Sequence, residues 1–291
     1  MKNLTLVALT VLFFSTCSVL DKEEDLPSFI KIDDITLSLE GLTLADGSST
    51  AGSDRTALKE IQVDANGQTI GIFSLPAIVP ILESGSVDLV ITPIINRDGV
   101  STAKVPYPFY RPYTTIENLT ELDTVQITPV VTYLNGLNFW IENFTNSSEF
   151  QNNDPSTDGD LVRILTEPFE APASGFIDLP SDASFFYAET AESFDIPLGK
   201  PAFVELHYSS NHPFRIGTLA RVGVTDSRSD LVGINPSTNS EEKVWKKLYV
   251  NLTDYRSNFS SGANFEIYFR LSKDPGYPEP LVFIDNVKVV Y

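Results

Sequence analysis

The sequence predicts an all-β protein built from two β-sandwiches, and three observations support this prediction. The 291 residues include 19 Phe and 11 Tyr, and aromatic and β-branched side chains favour strands. Hydrophobic and polar residues alternate with a period of two in several segments, most clearly at residues 265–271, as in strands with one buried face. The 19 Pro and 16 Gly are spread between such segments, where they form turns.

The chain is strongly acidic. Its 39 Asp and Glu against 20 Lys and Arg give a net charge of −19 at pH 7. This charge repels nucleic-acid phosphates and no basic cluster offsets it, so nucleic acid is excluded as a partner. An acidic surface usually serves solubility. The alternative is that some of the carboxylates bind calcium.

The N-terminus predicts export and a lipid anchor. Lys2 precedes an apolar run at residues 4–14, which has the length of a signal-peptide core and is too short to span a bilayer. Residues 14–17, at the end of this run, read Phe-Ser-Thr-Cys. This segment resembles a bacterial lipobox. The resemblance implies a lipoprotein signal peptide at residues 1–16 and lipidation of Cys17. The alternative is a plain secretory signal with an incidental cysteine.

An acidic tether is predicted at residues 17–25. The segment 21–25 reads Asp-Lys-Glu-Glu-Asp, and such a charged run is normally solvated. It is similar to the acidic export signal that follows the lipidated cysteine in Bacteroidota surface lipoproteins. The resemblance implies a lipid-anchored, surface-exposed protein of the outer membrane; the alternative is a periplasmic or secreted protein.

Residues 26–134 are predicted to form the first β unit. Alternating segments flank Asn66-Gly67, a dipeptide favoured in two-residue hairpin turns. Residues 63–71, 75–76 and 83–87 resemble a PEGA-type module, which implies an immunoglobulin-like β-sandwich. The N-terminal half as a whole also resembles the N-terminal part of uncharacterised Bacteroidota lipoproteins, which share the aromatic and proline-rich run seen here at residues 106–113. Residues 107–113 are predicted either to form a surface platform or to pack between the two units.

Residues 137–291 are predicted to form the second β unit. Alternation at residues 203–208 and 265–271 and a total of about eight strands fit a two-sheet jelly roll. The unit also resembles the jelly-roll domains of carbohydrate-binding modules, a galactose-binding type of fold. The segments that carry this resemblance are 140–144, 245–252 and 283–287. It implies a C-terminal jelly-roll β-sandwich and sugar binding.

Catalytic motifs are absent from the sequence. The two histidines, His207 and His212, lie in a strand pattern and before a proline, and the chain has no nucleophile elbow, Walker motif, dinucleotide fingerprint or zinc-ligand spacing. The chain is therefore predicted not to be an enzyme. The alternative is a glycosidase or polysaccharide lyase, because abundant carboxylates allow an acid pair whose separation the sequence does not give.

Aromatic residues are the candidate ligand-binding set, since sugar faces stack on exposed rings. The four leading candidates are Tyr187, Trp245, Tyr249 and Tyr255, and the further candidates are Phe185, Phe186 and Tyr277. Aromatic residues in strands are more often buried in a core, where each ring buries about 150–250 Å². Their exposure therefore decides which of them can contact a ligand.

A structural calcium is implied by the resemblance to carbohydrate-binding modules. It would lie between an acid of the first strand and the Asp of the last, here Glu142 and Asp285, with Asp160 as a third ligand. Calcium takes about six to eight oxygen ligands. The alternative is that these acids are ordinary strand-end or capping residues.

Taken together, these features predict a non-catalytic cell-surface lipoprotein. Residues 137–291 would bind a glycan or a protein partner, and residues 26–134 would act as a spacer. The first alternative is a structural or assembly subunit of an envelope complex, which predicts an exposed apolar patch or sheet edge.

Overall fold

The computed structural model describes residues 26–44, 48–260 and 262–291. The predicted signal peptide at 1–16, the lipidation site Cys17 and the tether at 17–25 lie outside the described residues. Within the described ranges the regular structure is 22 strands and one four-residue helix, so the all-β prediction is confirmed. No helix in these ranges has the length and apolar character needed to cross a membrane.

The first half of the chain contains eleven strands in three sheets. The strands are β1 (Ser28–Ile32), β2 (Thr36–Ser38), β3 (Glu60–Ala65), β4 (Gln68–Ser74), β5 (Ala77–Ile81), β6 (Gly85–Asn96), β7 (Lys104–Pro106), β8 (Tyr110–Arg111), β9 (Tyr113–Leu119), β10 (Thr124–Ile127) and β11 (Val130–Tyr133). The sheet orders are β10–β1–β5, β2–β11–β8 and β4–β3–β6–β7, with β9 also paired to β6. The pairs β1–β10 and β2–β11 are parallel.

Side chains that alternate along these strands build the first hydrophobic core. Ile30 of β1, Val63 of β3 and Leu89 of β6 are all fully buried in it. The predicted hairpin is confirmed: Asn66 and Gly67 join β3 to β4 with φ values of 46° and 77°, the positive range that tight hairpin turns require. The immunoglobulin-like topology of this part stays a prediction.

The second half of the chain contains eleven strands and the helix. They are β12 (Phe139–Glu142), β13 (Phe150–Gln151), β14 (Asp160–Ile164), β15 (Ser174–Asp178), β16 (Phe185–Thr190), β17 (Phe203–Ser210), β18 (Phe214–Val222), β19 (Thr225–Ile234), β20 (Lys246–Asn251), α1 (Thr253–Arg256), β21 (Asn264–Ser272) and β22 (Val282–Val290). The front sheet has the order β14–β15–β22–β17–β20, with β12 also on β22; the back sheet has the order β13–β16–β21–β18–β19.

Front and back sheets enclose the second hydrophobic core, which makes this half a β-sandwich. Val204 and Leu206 enter it from β17, and Phe265, Ile267 and Phe269 enter it from β21. Because side chains alternate along a strand, the odd-numbered residues of β17 point out of the sandwich. The outward face of the front sheet is therefore the surface that meets the first half of the chain.

The two halves pack through aromatic side chains. Tyr107 and Phe109 are buried, and their ring centroids lie 5.4 and 6.0 Å from that of Phe203 on β17. The Asp98 amide donates a hydrogen bond to the Tyr249 carbonyl at 2.8 Å, which ties a turn of the first half to β20. Of the two predictions for residues 107–113, packing between the halves is confirmed and the surface platform is wrong.

Candidate functional site

A cleft of about 770 Å³ opens beside the contact between the two halves. We call it the Trp245 cleft. One wall is the outward face of the front sheet and the loop before β15, and the other wall is formed by segments around β2 and before β3. Its main lining residues are Asp34, Arg55, Lys59, Phe169, His207 and Trp245. A concave surface that combines aromatic and polar side chains is the usual form of a ligand site.

Aromatic rings form one wall of the Trp245 cleft. Phe169 stacks on the imidazole of His207, with centroids 4.2 Å apart and planes at 24°. The Trp245 ring lies 5.1 Å from Phe169 at 47° and is only half-buried. The Arg55 guanidinium lies 5.4 Å from the Phe169 centroid, within range of a cation–π contact. Trp245 therefore offers a partly open aromatic surface held in place by its neighbours.

His207 is the most unusual group in the cleft. It is 2% exposed, and its Nδ1 has no hydrogen-bond partner among the described residues. Burial and the positive charge of Lys247 lower the pKa of His207 to about 2, although Glu205 acts in the opposite direction. The imidazole is therefore neutral at physiological pH, with one nitrogen that can donate and one that can accept a hydrogen bond.

The neutral state of His207 predicts a stability loss in acid. We expect the free energy of unfolding to fall as the pH drops below 6.5, the ordinary pKa of histidine. Between this value and about 2 the unfolded chain binds a proton that the folded chain does not, so stability rises with pH in this window and is lost as the pH falls. Urea denaturation at several pH values would measure this dependence.

A His207→Gln variant isolates this contribution. Its stability should depend less on pH between 6.5 and 4 than that of the unsubstituted protein. Burial raises the pKa of Asp285 to about 6, which stabilises the folded state as the pH falls toward 3.8, but this opposing effect is present in both proteins and cancels in the comparison. Equal pH dependence in the two proteins would show that His207 is not held neutral.

Charged side chains occupy the rim of the cleft. Arg55 and Glu170 are 3.9 Å apart, and Glu170 also accepts a hydrogen bond from Asn286 Nδ2 at 2.9 Å. Asp34 accepts the Ile35 amide at 2.9 Å. The rim thus presents carboxylates and cations around an aromatic wall, an arrangement suited to orienting a ligand rich in hydroxyl groups.

The structure separates the four leading aromatic candidates. Trp245 lies in the cleft. Tyr249 is buried between the two halves and donates a hydrogen bond to the Thr56 carbonyl at 2.7 Å. Tyr187 is 2% exposed on the outward face of the back sheet, where it donates to Glu189. Tyr255 is half-buried and packs on the core, so among these four only Trp245 lines the Trp245 cleft.

The three predicted calcium ligands accept hydrogen bonds from the protein itself. Glu142 accepts the amides of Phe144 and Glu149, and burial raises its pKa. Asp285 accepts the Ser174 hydroxyl at 2.7 Å, and Asp160 accepts from an Asn side chain. In the ranges that the structure describes, no three His, Cys, Asp or Glu side chains form a group that could hold a metal ion. Calcium binding stays a prediction.

Phe169, His207 and Arg55 were not among the predicted site residues. His207 follows the buried Leu206 in a segment whose residues alternate between the two faces of a sheet. The alternation therefore predicts that the His207 side chain points outward. Phe169 and Arg55 lie in segments without regular structure. No periodicity marks such positions, so only the folded arrangement brings them to the cleft.

Comparison with known proteins gave no matching family profile and no matching curated protein. Similar solved structures include three carbohydrate-binding modules. The xylan-binding domain from CBM 22 is 13% identical, with a TM-score of 0.36 over 52% of this chain and 92% of that domain. A module studied for promiscuous specificity in the β-sandwich superfamily is 10% identical, with a TM-score of 0.33 over 91% of this chain and 98% of that one. TmCBM61, solved with β-1,4-galactotriose, is 12% identical, with a TM-score of 0.29 over 52% and 86%. Likeness at this level assigns no function.

Proposed function

We propose that this chain is a non-catalytic binding module that holds a glycan in the Trp245 cleft. The observation that carries the proposal is the half-buried Trp245 beside the Phe169–His207 stack, with an unpartnered imidazole nitrogen and a polar rim. A sugar ring has an apolar CH face, which suits an aromatic ring, and hydroxyl groups around its edge, which suit the polar groups of the rim.

A location at the outer membrane forms part of the proposal. Its support is the lipobox-like segment ending at Cys17 and the acidic residues that follow, with residues 26–134 as the spacer that holds the cleft away from the membrane. A mature protein with an acylated Cys17 in mass spectrometry is the expected result, and an unmodified N-terminal methionine would contradict it.

The proposal predicts that Trp245→Ala weakens glycan binding at least tenfold, which corresponds to about 1.4 kcal/mol. The alanine removes the ring on which the sugar would pack but leaves the buried strands of the front sheet unchanged. Titration calorimetry against a panel of plant and bacterial oligosaccharides would identify the bound sugar and measure the loss.

Tyr277→Ala is the matched control. Tyr277 is an exposed aromatic residue that does not line the Trp245 cleft, so its replacement should leave affinity unchanged. Failure of every oligosaccharide to bind, or the same loss in both variants, would contradict glycan binding at this cleft.

A further inference from the structure

Two lysines without partners stand at the rim of the Trp245 cleft. Lys59 and Lys246 are both exposed, and both line this cleft and an adjoining cavity of about 370 Å³. Lys59 belongs to the first half of the chain and Lys246 begins β20 in the second half. Among the described residues, each half of the chain thus contributes one unpaired lysine to the lining of the cleft.

Unpaired cations are unusual in this protein, whose net charge is −19. Most other Lys and Arg side chains of the described ranges bind a carboxylate or a carbonyl oxygen, as Lys104 binds Glu60. The side chains in these ranges that do neither are Lys59, Arg111, Lys200 and Lys246. Two of these four line the same cleft, which marks it as a place where positive charge is left available.

Other groups of the cleft add to this preference. Arg55 reaches Glu170 only at 3.9 Å, so its charge is partly available. His207 Nδ1 is buried without a partner, which normally costs free energy unless a ligand or water satisfies it. Three acids of the described ranges also line the cleft and are only partly engaged: Asp34 accepts an amide and Glu170 accepts from Asn286, whereas Asp54 is exposed and unpaired. They remain suited to accepting hydrogen bonds from sugar hydroxyls.

We propose that the glycan held in the Trp245 cleft is anionic, with a negatively charged substituent that binds Lys59 and Lys246 while the sugar ring packs on Trp245. The inference rests on the proposed function and names the class of sugar. A carboxylate, as in a uronic acid, and a sulfate ester share this chemistry. Attraction between exposed charges weakens as salt screens it, so the affinity should fall with ionic strength.

Three probes of equal length test the proposal on the full chain: an oligogalacturonate, a neutral galacto-oligosaccharide and a sulfated galacto-oligosaccharide. Calorimetry should give at least tenfold tighter binding of one anionic probe than of the neutral probe, and the tighter of the two identifies the substituent. The double variant Lys59→Gln with Lys246→Gln should bring the affinity for that probe down to the neutral value.

The matched control is Arg111→Gln with Lys200→Gln. It changes the net charge by the same amount at the two unpaired cations that do not line the cleft, and it should leave the affinity unchanged. Equal binding of neutral and anionic probes, or equal losses in the two double variants, would overturn the anionic assignment while glycan binding stands. If Trp245→Ala kept its full affinity for the probes, the Trp245 cleft would instead be overturned as the binding site.

Discussion

Replacement of Glu205 by glutamine is expected to lower the free energy of unfolding by about 3–5 kcal/mol. Glu205 is 1% exposed, and its Oε2 lies 2.8 Å from Lys247 Nζ and 3.8 Å from Lys288 Nζ. Both lysine side chains are nearly as buried. Glutamine keeps the shape of the side chain but removes the charge, so two ammonium groups would be left in the interface without a counterion.

This cluster joins the two halves of the protein. Tyr107 donates a hydrogen bond to Glu205 at 2.6 Å, and Lys288 donates one to the Tyr133 hydroxyl at 2.6 Å. Burial alone would raise the pKa of Glu205, but the charges of Lys247 and Lys288 outweigh it and lower the pKa to about 2. Glu205 therefore stays ionised across the physiological range, and its removal affects both cores.

Chemical denaturation at pH 7 measures the effect, and Glu60→Gln is the control. Glu60 pairs with Lys104 at the surface, where such a pair contributes about 0–1 kcal/mol. A triple variant, Glu205→Leu with Lys247→Met and Lys288→Met, removes all three charges and should recover most of the loss. If Glu205→Gln cost no more than Glu60→Gln, the buried ions would not hold the interface.

Strand positions could be predicted from the sequence because alternation is a local property. The predicted segment 265–271 lies within β21, Asn264–Ser272, and the hairpin at Asn66-Gly67 forms as predicted. The burial of β17 could not be predicted in this way. All eight of its residues are buried, because the face that carries Glu205 and His207 is covered by the first half of the chain.

The same covering explains the candidate site. Tyr249 and Lys247 lie on the outward face of β20, where an isolated sandwich would present them to a ligand, but Tyr249 contacts Tyr107 of the first half at 5.0 Å. Trp245, which precedes β20, lies just beyond the covered area and stays half-buried. Contacts between segments about 140 residues apart decide this difference, and no local pattern encodes them.

Replacement of Arg256 by alanine is expected to lower the free energy of unfolding by about 3 kcal/mol, because the buried Ile196 carbonyl and two partly buried carbonyls would lose their donor. Arg256 is 2% exposed. Its Nε donates to the Ile196 carbonyl at 2.6 Å, and its Nη1 donates to the carbonyls of Phe259 and Ser260 at 2.9 and 3.3 Å. The guanidinium also lies 5.3 Å from the Phe265 centroid. One side chain thus joins two loops to the second core.

Arg256→Lys separates the planar donor geometry from the charge. Lysine keeps the charge but cannot reach three carbonyls with a fixed fork of donors, so this variant should also lose stability. Arg111→Ala, at an exposed arginine, should change the free energy of unfolding by less than about 0.5 kcal/mol. Urea denaturation of the three variants measures these differences. If Arg256→Lys were as stable as the unsubstituted protein, charge alone would account for the role of Arg256; if Arg256→Ala matched Arg111→Ala, the two loops would be held by packing without it.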